Sequence, residues 1–206
     1  MSRYLGPKWK VSRRLGFSIL ENGKEFALGK NGKERRNYAP GMHGLKRGKK
    51  SEYGLQLQEK QRVRYTFGLS EKQLRKVFDK AQNMPGPHGD NFMILLETRL
   101  DNIIYRLGFA STRKQARQLV THGHVLVNQK KLNIPSAFVV PGQTISLKEK
   151  SQKLDLVKNS LDQTLSRKAF LEFDEKKLIG KLIRLPERSE CLEGIQDSFI
   201  VEFYNR

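Results

Sequence analysis

The spacing of apolar residues changes once along this 206-residue chain, and the change restricts the fold more than any other feature. From residue 70 to residue 120, apolar residues recur at intervals of three and four, the repeat of one helix face. After Gly123, the segments 124–127 (HVLV) and 139–147 (VVPGQTISL) read as short strands joined by turns. Helices followed by a hairpin and a further strand predict an α+β fold.

The helical part contains local start and stop signals. The segment 51–67 (SEYGLQLQEKQRVRYTF) is followed by Gly68, a residue type that commonly closes a helix. Ser70 and Gln73 form a capping box that predicts the start of a second helix. Four apolar residues of that helix lie at i, i+3, i+4 and i+7 and are expected to be buried: Leu74, Val77, Phe78 and Ala81.

A proline- and glycine-rich segment, 84–89, interrupts the helical pattern. Asp90 or Asn91 is expected to cap a third helix, which Gly108 ends. The buried side of this single helix is predicted to carry Phe92, Leu96, Leu100, Ile103 and Leu107.

Residues 1–50 differ in kind from the rest of the chain. They carry 14 basic and 3 acidic residues, and glycine and proline interrupt every apolar run. Such a segment cannot bury a continuous apolar face alone. Aromatic residues are interleaved with the cations: Tyr4, Trp9, Phe17, Phe26 and Tyr38. We predict an extended basic arm laid along RNA, and the alternative is a basic tail whose rings pack on its own scaffold.

The formal net charge of +19 points to a polyanionic partner, because self-repulsion of that size is a cost to folding. Nucleic acid is the first candidate and an anionic membrane surface the second. Besides the arm, residues 98–150 are basic, with 9 basic and 2 acidic residues, whereas 51–97 and 151–206 are nearly neutral. The partner is therefore expected to contact the arm and the central module.

Three cations mark the central module. Thr112 and Gln115 predict a capping box, so a helix should begin at Arg113. On a helical wheel Arg113, Lys114 and Arg117 share one side, beside an apolar face of Ala116, Leu119 and Val120.

The position of these cations indicates their use. A cation in the first turn opposes the helix dipole by about 0.3–1 kcal/mol, and no acidic residue between 110 and 148 offsets it. A helix N-terminus with added cations is a phosphate-binding arrangement. We expect these charges to be exposed, so that reversing Arg113 and Arg117 to glutamate lowers RNA affinity and leaves thermal stability nearly unchanged.

Two histidines flank Gly123. His122 falls at the end of the helix and His124 opens the strand, before a tight turn at Asn128-Gln129 and a returning segment, 131–134. A metal would need more ligands than two, and no nucleophile or carboxylate lies near enough in sequence for acid–base catalysis. We expect the histidines to serve the turn, and we predict neither a metal nor a cofactor.

Cysteine usage and the N-terminal sequence bear on location. Cys191 is the single cysteine, so the chain cannot form an internal disulfide, which fits a reducing compartment. The first residues hold no apolar run of signal-peptide length, and no later segment approaches a membrane span. We expect a cytoplasmic protein with no membrane partner and no small-molecule substrate.

The segment RLDNIIYRLGFASTRKQARQLVTHGHVLVN (99–128), followed by IPS (134–136) and PGQTI (141–145), resembles the alpha-L RNA-binding motif. Three further stretches extend the resemblance over nearly the whole chain: RYLGP with SRRLG near the start, YAPGMHG with KKSEYGLQLQEKQ (38–61), and LPERSE with FIVEFYNR at the end. Together they are similar to the family of the fourth protein of the small ribosomal subunit, bacterial type. Some members of that family bind zinc through four N-terminal cysteines, and the resemblance here is to the zinc-free form.

The resemblance implies a helical domain interrupted by an alpha-L domain, in which helices pack on a small, mainly antiparallel sheet. We expect a basic arm (1–50), a helical domain (51–97, rejoined by about 183–206) and an alpha-L domain (98–182, core module 98–150). The implied function is that of a structural constituent of the small ribosomal subunit. It binds rRNA at a multi-helix junction early in assembly, contacts neighbouring ribosomal proteins near the messenger RNA entry path and influences translational accuracy.

The same resemblance implies which side chains contact RNA. They are Arg3, Arg13, Arg14, Tyr38, His43, Lys46, Arg47, Lys49, Lys50, Arg113, Lys114, Arg117 and Lys131.

Two other functions remain open from the sequence. A stand-alone RNA chaperone or translational repressor would use the same cations. An RNA-modifying enzyme could use the module for delivery, but the remaining segments of about 50 residues are short for a catalytic domain.

Overall fold

A computed structural model of the chain describes residues 4–22, 26–27, 36–45, 48–164 and 167–206. The chain divides into two compact units, one formed by residues 1–79 and 194–206 and the other by residues 80–193. Helices and an antiparallel sheet are both present, which confirms the predicted α+β class. The residue limits given above for the domains stay predictions.

The first unit is helical. Its helices are α1 (Lys8–Leu15), α2 (Glu52–Thr66), α3 (Glu71–Gln82, which crosses the unit boundary) and α9 (Asp197–Tyr204). The cap signals read from sequence are present. The Ser51 side chain accepts from Gly54 N at 3.2 Å, and Ser70 and Gln73 exchange both bonds of a capping box.

Helix α1 corrects the predicted extended arm at residues 8–15, which are helical. It places Val11 and Leu15 in a small buried cluster with Ile19, against Tyr65 of α2. The carbonyl of Leu15, at the C-terminal end of α1, accepts hydrogen bonds from Gln58 Nε2 at 2.8 Å and from Arg62 Nη2 at 3.1 Å. The segment is thus helical because a distant helix covers its apolar side and satisfies its terminal carbonyl.

The last helix of the chain, α9, packs against α2. Its Tyr204 hydroxyl donates to Glu71 Oε1 at 2.8 Å, and Lys60 Nζ reaches the same oxygen at 2.7 Å. Burial would raise the pKa of Glu71, but these hydrogen bonds and the charges of Lys60 and Arg64 outweigh it, so the pKa lies below its ordinary value. Burial, together with the bond to Glu71, raises the pKa of Tyr204 well above its ordinary value.

The second unit combines helices with one sheet. Its elements after α3 are α4 (His88–Glu97), α5 (Leu100–Arg106), α6 (Arg113–Thr121), β1 (Val125–Val127), β2 (Lys130–Lys131), β3 (Thr144–Leu147), α7 (Glu149–Gln152), α8 (Asp155–Asp162), β4 (Leu171–Asp174), β5 (Ile179–Leu182) and a 3-10 turn (Arg188–Glu190). The strand order is β2-β1-β3-β5-β4, and every pairing is antiparallel. One apolar core is shared by α5, α6, α8 and the sheet.

The single helix predicted for residues 91–107 is wrong, because the structure divides it into α4 and α5. The break falls at Thr98 and Arg99, where Arg99 is extended and pairs with Phe138. Thr98 O accepts a hydrogen bond from Val139 N at 2.8 Å. Residues 138 and 139, which are distant along the chain, therefore supply the backbone partners at the break. The start is also different: α4 begins at His88, before the predicted caps. The five apolar residues expected on the buried side are all buried.

Candidate RNA-binding surface

Helix α6 begins where its sequence predicts. Thr112 Oγ1 accepts a hydrogen bond from Gln115 N at 3.3 Å. The reciprocal bond of a capping box is absent: Gln115 Oε1 accepts from Ser111, from its N at 3.1 Å and its Oγ at 2.8 Å. The predicted capping box is therefore half formed, and the helix N-terminus is tied to the preceding residue as well.

The cations of α6 are not equally exposed. Lys114 is exposed, as predicted, whereas the Arg117 side chain is only 12% exposed and Arg113 is half-buried. The expectation that all three charges face outward is wrong for the two arginines. A helical wheel places residues around one helix axis, but it contains no information on what lies opposite, and α5 packs on this side of α6.

Both arginines have partners on α5. Arg113 Nε donates to Asn102 Oδ1 at 2.7 Å, and its guanidinium lies over the Tyr105 ring, 4.6 Å from the ring centroid. Arg117 Nη1 lies 4.0 Å from Asp101 Oδ2. Reversing both arginines would place two carboxylates against these groups, so on these contacts we expect the double reversal to lower thermal stability as well.

The partners on α5 are themselves held. Asp101 accepts from Arg99 Nε at 3.1 Å and from Arg99 Nη2 at 2.9 Å. The fully buried Glu97 accepts from Arg106 at 3.0 and 2.7 Å and from Asn102 Nδ2 at 2.6 Å. The arginines of α6 thus rest on a buried polar network that includes two carboxylates.

Sequence reasoning missed six members of this network: Glu97, Arg99, Asp101, Asn102, Tyr105 and Arg106. One signal was available. Asp101 is an acidic residue within an apolar helical stripe and a strongly basic region, and aspartate is rarely buried unless it is paired.

Lys131 lies at the other end of α6. The turn before it joins β1 and β2 through Asn128 (φ 47°) and Gln129 (φ 65°), the backbone of a two-residue hairpin turn of type I′. This confirms the predicted tight turn. The exposed Lys131 side chain crosses Gly123, where an added Cβ would collide with Lys131 Cε. A nine-residue helix is roughly 13 Å long, so Lys131 is not brought together with Arg113 and Lys114.

The two histidines occupy the turn after α6. His122 is the exposed C-terminal cap residue, and His124 Nδ1 lies 2.8 Å from Ser151 Oγ. Their ring centroids are 6.1 Å apart. Within the described ranges, no group of three or more His, Cys, Asp or Glu side chains is arranged to hold a metal ion.

A second cationic surface lies in the first unit. Arg13 Nε donates to Tyr38 O at 3.0 Å, and its guanidinium lies over the Tyr38 ring at 5.5 Å. Arg13 and the exposed Arg14 are in the last turn of α1, where cations favour the helix dipole. They line a groove of about 860 Å³ together with Tyr38, Lys50 and Arg62. The structure thus brings Arg13, Arg14, Tyr38 and Lys50 together.

The remaining predicted residues are placed as follows. His43 and Lys49 are exposed, and Lys50 Nζ donates to Gln58 Oε1. Arg3, Lys46 and Arg47 lie outside the described residues. RNA contact by any of the predicted residues stays a prediction.

Two family models together match most of the chain. Residues 3–97 match the ribosomal protein S4/S9 N-terminal domain, and residues 98–145 match the S4 domain. The chain is 56% identical to small ribosomal subunit protein uS4 of Ligilactobacillus salivarius (strain UCC118) over 100% of both sequences. It is 55% identical to the uS4 protein of Phytoplasma mali (strain AT) and 54% identical to that of Geobacillus stearothermophilus, again over 100% of both sequences.

Helices α5 and α6 on an antiparallel sheet, in the segment that carries the S4 match, define an S4-domain protein. Full-length identity above 50% goes further, and the chain belongs to the small ribosomal subunit protein uS4 family. Membership confirms the resemblance stated above and the prediction that the chain is not an enzyme. No helix of the described residues is long and apolar enough to cross a bilayer.

Proposed function

We propose that this chain is a structural constituent of the small ribosomal subunit and that it binds small-subunit rRNA early in assembly, at a junction of several RNA helices. The observation that carries the proposal is the N-terminus of α6, where Lys114 is exposed and Arg113 and Arg117 are fixed beside it. Family membership supports small-subunit rRNA as the partner, because the relatives are named as proteins of the small subunit.

The mechanism is positioning without chemistry. Arginine and lysine side chains and the backbone N–H groups at a helix start bind phosphate oxygens. Paired RNA hides its base edges in a deep, narrow groove, so recognition rests on backbone geometry and the shape of the junction. The groove at the end of α1 provides a second set of cations for the same RNA backbone. Since phosphate contacts release counterions, affinity is expected to fall steeply with salt.

The direct test is chemical footprinting of small-subunit rRNA from Geobacillus stearothermophilus with and without this chain. Protection is expected to cluster at one helix junction. If the chemical reactivity of the rRNA is unchanged by the protein at low salt, the proposal is refuted.

A charge reversal tests the placement of the surface. Lys114→Glu should weaken rRNA binding and lower the dependence of log affinity on log salt by about 1, because one phosphate contact is lost. Lys158→Glu on α8 is the matched control, since Lys158 is an exposed lysine of the same unit outside the predicted site. Equal affinities for the two variants at matched salt would show that RNA does not contact the start of α6.

The finer parts of the proposal concern the assembled subunit in the cytoplasm. We propose that the chain contacts neighbouring small-subunit proteins, lies near the messenger RNA entry path and influences decoding accuracy. The support is the whole-length resemblance. Small subunits reconstituted with the Lys114→Glu variant should translate a misreading reporter in vitro with an altered error frequency. Error frequencies equal to those of wild-type subunits at full occupancy would argue against an effect of this surface on accuracy.

A further inference from the structure

We propose that Asp101 and Asn102 of α5 are positioning residues for RNA binding: they hold Arg117 and Arg113 of α6 in one orientation before RNA arrives. The inference rests on the proposed function, and it concerns residues that do not themselves contact RNA. Each of the two is almost completely buried. Each reaches one arginine of α6, so the two act on the same helix at positions one turn apart.

Asp101 orients Arg117 from the neighbouring helix α5. Both carboxylate oxygens of Asp101 accept from Arg99, Oδ1 at 3.1 Å and Oδ2 at 2.9 Å, and Arg99 is itself only 2% exposed. The position of the Asp101 carboxylate is therefore set by Arg99 and does not depend on Arg117. Arg117 Nη1, 4.0 Å from Oδ2, is attracted to a stationary charge.

Asn102 connects Glu97 to Arg113 through two hydrogen bonds. Its amide nitrogen donates to Glu97 O at 2.9 Å and to Glu97 Oε2 at 2.6 Å. With the amino group directed at Glu97, the amide oxygen is directed at Arg113 Nε, 2.7 Å away. The Tyr105 ring supports the same guanidinium at 4.6 Å.

The arrangement leaves positive charge for a phosphate. Asp101 is shared by two guanidinium groups, those of Arg99 and Arg117. Glu97 pairs directly with Arg106 and reaches Arg113 through Asn102. Within this network two carboxylates face four arginines, so the named groups carry a formal charge of +2.

Prior fixation matters because a long side chain ordered on binding costs conformational entropy. Arginines that are ordered by the protein beforehand avoid that cost when they meet a phosphate. The two carboxylates therefore help an anion to bind, although their own charge opposes it.

A double-mutant cycle on rRNA affinity tests the proposal, with the full chain and small-subunit rRNA from Geobacillus stearothermophilus. Asp101→Asn should weaken binding about tenfold, because the charge that orients Arg117 from 4.0 Å is lost. In an Arg117→Ala background the same change should have less than about a twofold effect, because the residue it positions is gone. In a Lys114→Ala background the effect should again be about tenfold, since Lys114 is exposed on the same helix, whereas Asp101 faces Arg117.

Two further variants separate positioning from folding. Asn102→Ala, combined with Arg113→Ala, forms an independent cycle that carries the test if Asp101→Asn does not fold. Ile145→Ala in β3 removes apolar contacts from the shared core without changing a charge or a hydrogen-bonding side chain, so it should lower the melting temperature and leave rRNA affinity unchanged well below that temperature.

The outcomes are distinct. Asp101→Asn effects that are equal in the Arg117→Ala and Lys114→Ala backgrounds would overturn the inference, as would a loss no larger than that of Ile145→Ala. If the wild-type chain binds this rRNA no better than it binds transfer RNA, the proposed function itself fails and the inference fails with it.

Discussion

Replacing Arg99 by methionine should destabilise the second unit by about 3 kcal/mol. Arg99 lies at the break between α4 and α5, and its guanidinium makes two hydrogen bonds with the buried Asp101. Methionine fills most of the same space, so the main effect is electrostatic. The buried Asp101 carboxylate loses its hydrogen-bonded partner.

The magnitude follows from what remains around Asp101. Breaking a buried ion pair by removing one partner costs about 3–5 kcal/mol. Arg117 stays 4.0 Å from Asp101 and offsets part of the loss, which places the expected value at the lower end. If the carboxylate is the cause, adding Asp101→Asn to Arg99→Met should destabilise less than the sum of the two single changes.

Amide hydrogen exchange measured by mass spectrometry suits this test, because it reports on one unit at a time. Peptides covering β1 and β3 should exchange about a hundredfold faster in Arg99→Met, the factor that corresponds to roughly 3 kcal/mol.

The matched control is Glu175→Gln, which breaks the pair of Arg167 Nη1 and Glu175 Oε1 at 3.4 Å in the same unit. The Glu175 side chain is 79% exposed, so the loss should stay below about 1 kcal/mol. If Arg99→Met speeds exchange no more than Glu175→Gln does, the reasoning from burial and charge is refuted.

Three other changes have defined outcomes. Gln129→Gly should raise the melting temperature of the second unit, with a gain of roughly 1 kcal/mol, because residue 129 has φ 65° and glycine adopts that conformation without strain; a lower melting temperature would contradict the turn assignment. Gly180→Ala should cost about 1–3 kcal/mol, because the new Cβ would lie 2.5 Å from both terminal carbons of the buried Leu107; if the clash is the reason, Leu107→Ala should relieve part of that cost in a urea titration. The folded-state pKa of Glu71 lies below its unfolded value, so its contribution to stability is present above the unfolded pKa and is lost as the pH falls through the folded pKa. Unfolding followed by the fluorescence of Trp9, the only tryptophan, should therefore show that Glu71→Gln reduces the stability lost between pH 6 and pH 3 by roughly 1 kcal/mol, and identical pH profiles would show that the Lys60 and Tyr204 bonds contribute nothing.

The sequence by itself determined the features whose causes lie within a few residues. Ser51, Ser70 and Thr112 start their helices because a side-chain oxygen accepts from the N–H group three residues on. Gly108 and Gly123 have positive φ at the ends of α5 and α6, where glycine alone has no steric penalty. The residues that apolar spacing singled out in α3, α4 and α5 are likewise buried.

Only the tertiary structure decided the features whose causes lie far along the chain. Helix α1 exists in a glycine-rich basic segment because Tyr65 covers its apolar side and Gln58 and Arg62 bond its last carbonyl. The break at Arg99 exists because residues 137–139 supply backbone partners there.

The orientation of the arginines of α6 has the same kind of origin. A sequence states how many charges a helix carries and on which side they lie, so Arg113, Lys114 and Arg117 could be singled out together. It does not state which of them meets a buried group on the neighbouring helix. Burial and ion pairing depend on segments brought together by folding, and this is why Lys114 is exposed while Arg113 and Arg117 lie against Asn102 and Asp101.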